Sequence, residues 1–211
     1  MTTLEDRPVH AADSADDLAL SRPAQQLLFT AARTANAFTD EPVTDEQVRA
    51  VYDLVKWAPT AMNTQPLRVV LVRSPQARQR LVAQMAEGNK AKTASAPLVA
   101  ILAADVDFHQ HLDELLPYLP DAAARFSDRD GREKVARFNA TLQAGYFLLG
   151  VRAAGLSAGP MGGFDAAGVD REFFAGTALR SLLVVNIGRP GPDAWMERLP
   201  RLHHDDVVTS L

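Results

Sequence analysis

The chain contains no cysteine. Disulfides, thiolate nucleophiles, iron–sulfur clusters and cysteine-type zinc sites are therefore excluded, and the expected compartment is the cytoplasm. It also lacks an excess of positive charge. With 22 Lys and Arg against 26 Asp and Glu the net charge is −4, the wrong sign for a nucleic-acid binder. No apolar run approaches the roughly 20 residues that span a bilayer, so no membrane association is expected. The N-terminal residues carry Glu5, Asp6, Asp13, Asp16 and Asp17 without an apolar stretch between them. They have neither the basic start nor the apolar middle of a secretory signal, and residues 1–22 read as a flexible tail.

Several catalytic signatures are missing too. The only dense glycine cluster, Gly159-Pro160-Met161-Gly162-Gly163, comes late and does not fit the G-x-G-x-x-G spacing of a dinucleotide fold. There is no P-loop, no H-E-x-x-H and no serine in a nucleophile elbow. Asp105, Asp107, His109 and His111 alternate as metal ligands sometimes do, but no second ligand cluster accompanies them, and no metal is expected. His203-His204 reads as a surface pair.

What is present is ordinary globular material: 211 residues, 47% hydrophobic and 23% charged, enough for one well-buried domain over residues 23–211. A helix is expected over residues 23–34. Thr44 and Gln47 form a capping-box pattern ahead of a second helix, with Val48, Val51, Tyr52 and Val55 at helical spacing, stopped by Pro59. Residues 67–72 read as a strand. Ser74-Pro75 starts a third helix that Gly88 is expected to end. Residues 97–104 read as a second strand, and 105–130 as a lid or excursion with short helices. The longest helical pattern, residues 133–154, is apolar around so much of its circumference that it is expected to be central and buried, with Gly145 and Gly150 marking close packing. A glycine-rich turn over 157–164 and a helix capped by Asp165 follow. Residues 181–187 are apolar throughout and read as a strand covered on both faces. The sum is α+β, helices packed around a small mixed sheet.

Redox chemistry without cysteine or metal requires an organic cofactor, and the protein must then supply a phosphate site, a platform and polar groups at a ring edge. Arg33, Thr34 and Asn36 combine a guanidinium, a hydroxyl and an amide after the first helix. The proline-bounded loop Pro59-Thr60-Ala61-Met62-Asn63-Thr64-Gln65-Pro66 offers two amides able to read a pyrimidine-like edge. Asn89 and Lys92 follow the expected helix stop. Pro160, Met161, Gly162 and Gly163 allow close backbone approach to a ligand. Arg201 is a late cation. Each has a plainer reading: a surface arginine near a helix end, amides that satisfy their own loop, a solvated lysine, an ordinary turn.

The order of these motifs resembles the FMN-dependent nitroreductase family, whose Arg-Ser-x-Arg, Pro-Ser-x-x-Asn-x-Gln-Pro, Asn-x-x-Lys and Pro-x-x-Gly-Phe-Asp segments recur in the same sequence. Within that family the chain resembles more closely the subgroup containing the malonic semialdehyde reductase of pyrimidine breakdown, through Gly163-Phe164-Asp165, Asn186-Ile187-Gly188 and Leu199-Pro200-Arg201-Leu202. Ala32 and Asn36 stand where many members place basic residues. The resemblance implies an FMN enzyme that takes hydride from NADH or NADPH and passes it through flavin N5 to a small organic acceptor: an aldehyde of the malonic semialdehyde type, a nitroaromatic or a quinone. A flavin-binding sensor or carrier without turnover is the alternative. It implies that Arg33, Thr34 and Arg201 hold the phosphate, that Pro59, Thr60, Ala61, Asn63, Gln65, Asn89 and Lys92 lie along the cofactor, and that the backbone of Gly162 and Gly163 faces N5, with no side chain as an evident acid or base. It further implies a homodimer with shared active sites.

Overall fold

A computed structural model describes residues 18–211; residues 1–17, most of the expected tail, lie outside them. The described residues divide into two units, one ending at Ala32 and the other Arg33–Leu211. The described part of the first holds α1 (Arg22–Gln25), continued by a π-helical turn over Gln26–Thr30. There the N–H of Ala31 reaches the carbonyl of Gln26 at 3.0 Å. This widened turn ends the helix four residues earlier than expected, so Arg33 and Thr34 lie beyond it.

The second unit contains, in chain order, α2 (Asp45–Val55), β1 (Leu67–Val72), α3 (Pro75–Gln84), α4 (Glu87–Ser95), β2 (Leu98–Asp105), α5 (Leu112–Leu115), α6 (Arg129–Ala153), β3 (Ser157–Met161), α7 (Ala166–Phe173), β4 (Leu179–Gly188) and α8 (His204–Val207). The strands form one sheet in the order β1-β2-β4-β3, and every pairing is antiparallel. The sheet is thus not mixed among the described residues. One cause is the segment between β1 and β2. Gly88 does not end a single crossover helix but lies inside α4; the break falls at Met85, whose extended backbone bridges to Phe164. Two helices in succession bring the chain back antiparallel, where one would bring it back parallel.

β2 is central and buried, and its alternation builds two cores. Leu98, Ala100 and Leu102 join Val51, Ala144, Phe147 and Val151 from α2 and α6. Val99, Ile101 and Ala103 face the opposite way, toward Leu81, Met85, Val169 and Phe174. Residues 157–161, expected as part of a turn, are strand β3, paired with β4 from Ser157↔Gly188 to Met161↔Val184. The expected caps form. Thr44 and Gln47 close a reciprocal capping box, Ser74 accepts from Ala77 N, and Asp165 accepts from Gly168 N.

Asp128 caps α6 through Gly131 N at 2.8 Å, which starts the helix a turn before the apolar pattern begins. Gly155, at φ 74, ends it in a Schellman motif: its N–H bonds Arg152 O, and Leu156 N bonds Val151 O. Only one face of α6 is buried. Phe138, Leu142 and Tyr146, one turn apart, are 66%, 45% and 43% exposed. Gly150 packs so tightly on α2 that a Cβ there would strike Val55 Cγ1, whereas Gly145, on the exposed side, meets nothing within 4 Å. No helix among the described residues is long and apolar enough to cross a membrane.

Candidate active site

One cluster forms where β3 ends. Asn89 and Lys92 lie inside α4, one turn apart, rather than after a helix stop. Lys92 Nζ donates to Asn36 Oδ1 at 3.2 Å, and Asn36 is fixed by its backbone N–H to Ala194 O at 2.9 Å. Asn89 Nδ2 donates at 2.9 Å to the carbonyl of Gly163, which also accepts from Ala86 N at 3.0 Å. Buried Asn186 on β4 donates to Lys92 O at 3.1 Å, holding the last turn of α4 from below. Pro160 and Met161 are in β3, with Met161 Sδ beside Thr93 and Asn186. Gly162 and Gly163 follow, both exposed. Their carbonyls are bonded within the protein, and a Cβ at Gly162 would meet nothing within 4 Å. An open groove of about 610 Å³ runs beside Asn36, Phe38, Gly88, Lys92 and Met196.

Arg33 and Thr34 precede Asn36 in the same extended stretch. The Arg33 guanidinium lies 5.8 Å from the centroid of the Trp195 ring. Trp195 is held near by pairing of two segments: Thr39 N bonds Arg189 O, Gly191 N bonds Ala37 O, and Phe38 bridges to Pro190. Arg201 is not brought to this cluster. It is exposed and donates only locally, to Leu199 O and Pro200 O.

The proline-bounded loop forms a second group. Thr60 Oγ1 accepts from Gln65 N at 3.2 Å, Gln65 Nε2 donates to Asn63 Oδ1 at 2.8 Å, and Asn63 Nδ2 donates to Leu115 O at 3.0 Å. Met62 packs against Leu112, Leu116 and Ala122, so the excursion expected over 105–130 braces this loop. From α6, Asn139 Oδ1 accepts from Ala61 N at 2.7 Å and Gln143 Oε1 accepts from Leu67 N at 3.0 Å. Losing either acceptor would leave a partly buried N–H unpaired, at a cost of about 1–3 kcal/mol. Sequence reading missed these two. A signal existed: they are carboxamides at i, i+4 among Ala136, Ala140, Ala144 and Phe147 on the buried face. Trp195 was missed as well, and nothing local pointed to it.

The two groups are far apart within one chain. The loop feeds edge strand β1, whereas Gly162 leaves edge strand β3, and β2 and β4 lie between. Three inter-strand spacings put the edges about 14 Å apart. A separate apolar cavity of about 390 Å³ lies among Val48, Tyr52, Leu67, Val69 and Phe147 and takes in none of the expected site residues. Asp105 and Asp107 are engaged in ion pairs with Arg68 and Arg132, at 2.8 and 3.1 Å.

Residues 30–189 match the model of the nitroreductase family. The chain belongs to that family. It is 64% identical over 195 residues to a Streptomyces coelicolor protein provisionally described as an NADH dehydrogenase/NAD(P)H nitroreductase, spanning 92% of this chain and 99% of the relative. A Leptothrix cholodnii protein with the same provisional description is 53% identical over 197 residues, spanning 93% and 98%. The nitroreductase fold is also seen in solved structures. A Staphylococcus epidermidis protein provisionally described as an NAD(P)H:FMN oxidoreductase aligns at TM-score 0.78 and 18% identity, covering 92% of this chain and 98% of that one. A provisionally described nitroreductase from Exiguobacterium sibiricum, solved with FMN, aligns at TM-score 0.76 and 15% identity, covering 89% and 96%.

Proposed function

We propose that this nitroreductase-family chain is an FMN-dependent NAD(P)H oxidoreductase, acting as a homodimer on a small organic acceptor. The observation that carries the reading is the pair of contacts made by α4: Lys92 with Asn36 beside an open groove, and Asn89 with the carbonyl of Gly163 in the exposed glycine turn. The donor set suits a flat, phosphate-bearing ring system. It offers the Lys92 ammonium, the Arg33 guanidinium beside Trp195, side-chain amides, and a glycine whose missing Cβ leaves open space.

FMN, when bound, supplies the hydride-carrying chemistry, accepting from NADH or NADPH and returning to the acceptor. Lys92 then sets the charge beside the ring, Arg33 and Thr34 hold the phosphate end, and Asn89 fixes the Gly163 carbonyl so that the backbone at 162–163 keeps its approach open. Arg201 joins the phosphate end only from a C-terminal segment placed otherwise than within its own chain. The Thr60–Gln65 loop serves the neighbouring copy's flavin, which its position on the far edge of the sheet favours, and the exposed Phe138, Leu142 and Tyr146 stripe supplies the two-fold contact. Malonic semialdehyde-type aldehydes, nitroaromatics and quinones are the acceptors proposed. The test is an absorbance spectrum of the purified protein followed by anaerobic titration with NADPH and NADH. A flavin spectrum that bleaches with either is expected. A colourless protein that takes up no FMN would overturn the proposal, and a yellow protein inert to both nucleotides would leave a binder without turnover.

A further inference from the structure

The loop between Pro59 and Pro66 holds an uncommon backbone. Met62, Asn63 and Gln65 have φ of 50, 49 and 42, the left-handed region, and none is glycine. Three such residues in four positions persist only where the surroundings impose them. The surroundings here include the 105–130 excursion, which meets Met62 and Asn63, and the two carboxamides of α6, which hold the loop's ends. Asn139, 2% exposed, accepts from Ala61 N at 2.7 Å, and Gln143, 9% exposed, accepts from Leu67 N at 3.0 Å. Asn139 also donates to Val135 O at 2.9 Å, which fixes which end of its amide faces the loop. Residues four apart on a helix are separated by about 6 Å along its axis. The chain from Ala61 to Leu67 could extend to roughly 20 Å. A segment pinned at both ends to a rigid spacing this short must bow away from the helix, and within the bow Asn63 is exposed, with Gln65 hydrogen-bonded to it.

We infer that Asn139 and Gln143 are positioning residues for the flavin-reading edge of the enzyme. They act through the Ala61 and Leu67 amides and touch no cofactor themselves; their work is to hold Asn63 and Gln65 at one place and orientation before FMN arrives. The inference rests on the proposal that this loop lies along the flavin. It assigns to α6 two separate duties, the buried carboxamides toward the loop and the exposed aromatic stripe away from it.

The experiment compares Asn139→Ala, Gln143→Met and Gln143→Glu in the full-length protein, alongside the double variant Asn63→Ala/Gln65→Ala. FMN affinity is read by flavin fluorescence titration of the apoprotein, and loop order by hydrogen exchange of peptides covering residues 60–67. Asn139→Ala and Gln143→Met should each speed exchange in that segment and weaken FMN binding about tenfold, with the far-UV spectrum unchanged. Gln143→Glu keeps an acceptor for Leu67 N and should restore both readouts. Faster exchange with undiminished FMN affinity would overturn the inference, as would a loss in Gln143→Glu equal to that in Gln143→Met. Weakened binding in Asn63→Ala/Gln65→Ala with normal binding in the α6 variants would overturn the inference alone. Normal binding in Asn63→Ala/Gln65→Ala would overturn the flavin reading of the loop, and the inference with it.

Discussion

Lys92 Nζ meets Asn36 Oδ1 at 3.2 Å, and this contact ties α4 to the extended segment that begins at Arg33. A neutral amide thus stands next to the cluster's lysine. Asn36→Asp would place a carboxylate there and offset the charge that Lys92 brings to the groove. FMN affinity should fall about tenfold at low ionic strength, and the loss should shrink as salt screens the groove. Fluorescence titration at two salt concentrations checks this; a loss independent of salt would mean that Asn36 acts through shape.

Arg33 and Trp195 make the second prediction. Arg33→Ala removes a charge-assisted contact of about 1.5–3 kcal/mol and should weaken FMN roughly ten- to a hundred-fold without unfolding the protein. Trp195→Ala removes only the stacked ring, about 0.5–1 kcal/mol at an exposed site, and should cost a few-fold. Equal losses would show that Trp195 contributes more than the seating of Arg33.

Two glycines of α6 should respond in opposite directions. A Cβ at Gly150 strikes Val55, so Gly150→Ala should destabilise by about 1–3 kcal/mol. Gly145 has open space, and Gly145→Ala gains helix propensity of about 0.5–1 kcal/mol. Thermal melts of both variants test the pair. A melting point lowered by Gly145→Ala would indicate that something in the assembled protein presses on that face.

The shared-site proposal predicts complementation. Arg33→Ala and Asn63→Ala should each be poorly active as homodimers. A purified mixed dimer would hold one doubly damaged site and one intact site, and should recover up to about half of wild-type activity by two-fold symmetry. No recovery in mixed dimers, or a monomer by light scattering, would rule the arrangement out.

His109 gives a pH dependence. Burial lowers its pKa below the ordinary 6.5, Arg132 adds to the effect, and Nδ1 has no hydrogen-bond partner among the described residues. The unfolded chain therefore binds the proton more readily, and stability should fall as pH drops below about 6.5 and through the lower folded value. His109→Gln should flatten this acid limb in denaturant titrations at pH 7 and pH 5. An unchanged limb would assign it to other groups.

Local signals with one dominant cause were legible in the sequence. The Thr44–Gln47 box, the Ser74 and Asp165 caps and the apolar runs of β1, β2 and β4 all read correctly, because cap chemistry and short apolar runs rich in β-branched residues leave little ambiguity. Failures came where tertiary pairing overrode local chemistry. Met85 breaks a helix by pairing with Phe164, 79 positions away, while Gly88, the residue that looked like a stop, is helical. Gly159 looked like a turn, yet it is a strand position where the carbonyl of Ala35 approaches to 2.6 Å of where a Cβ would stand. Within the candidate site, Asn36, Asn89, Lys92 and Gly163, all singled out by motif, are joined by hydrogen bonds. The hydrogen bonds of Asn139 and Gln143 to the loop span 78 and 76 positions, a distance no spacing rule covers.

The placement of the loop and the glycine turn on opposite margins of one rigid sheet has a consequence for dosage. Neither margin bends toward the other without tearing the strands between them; if one flavin uses both, as the shared-site proposal has it, a copy working alone has no internal route to a complete site. On that proposal, catalytic output should follow the square of protein concentration once dilution separates the copies. A cell making too little of this protein would hold folded but silent chains.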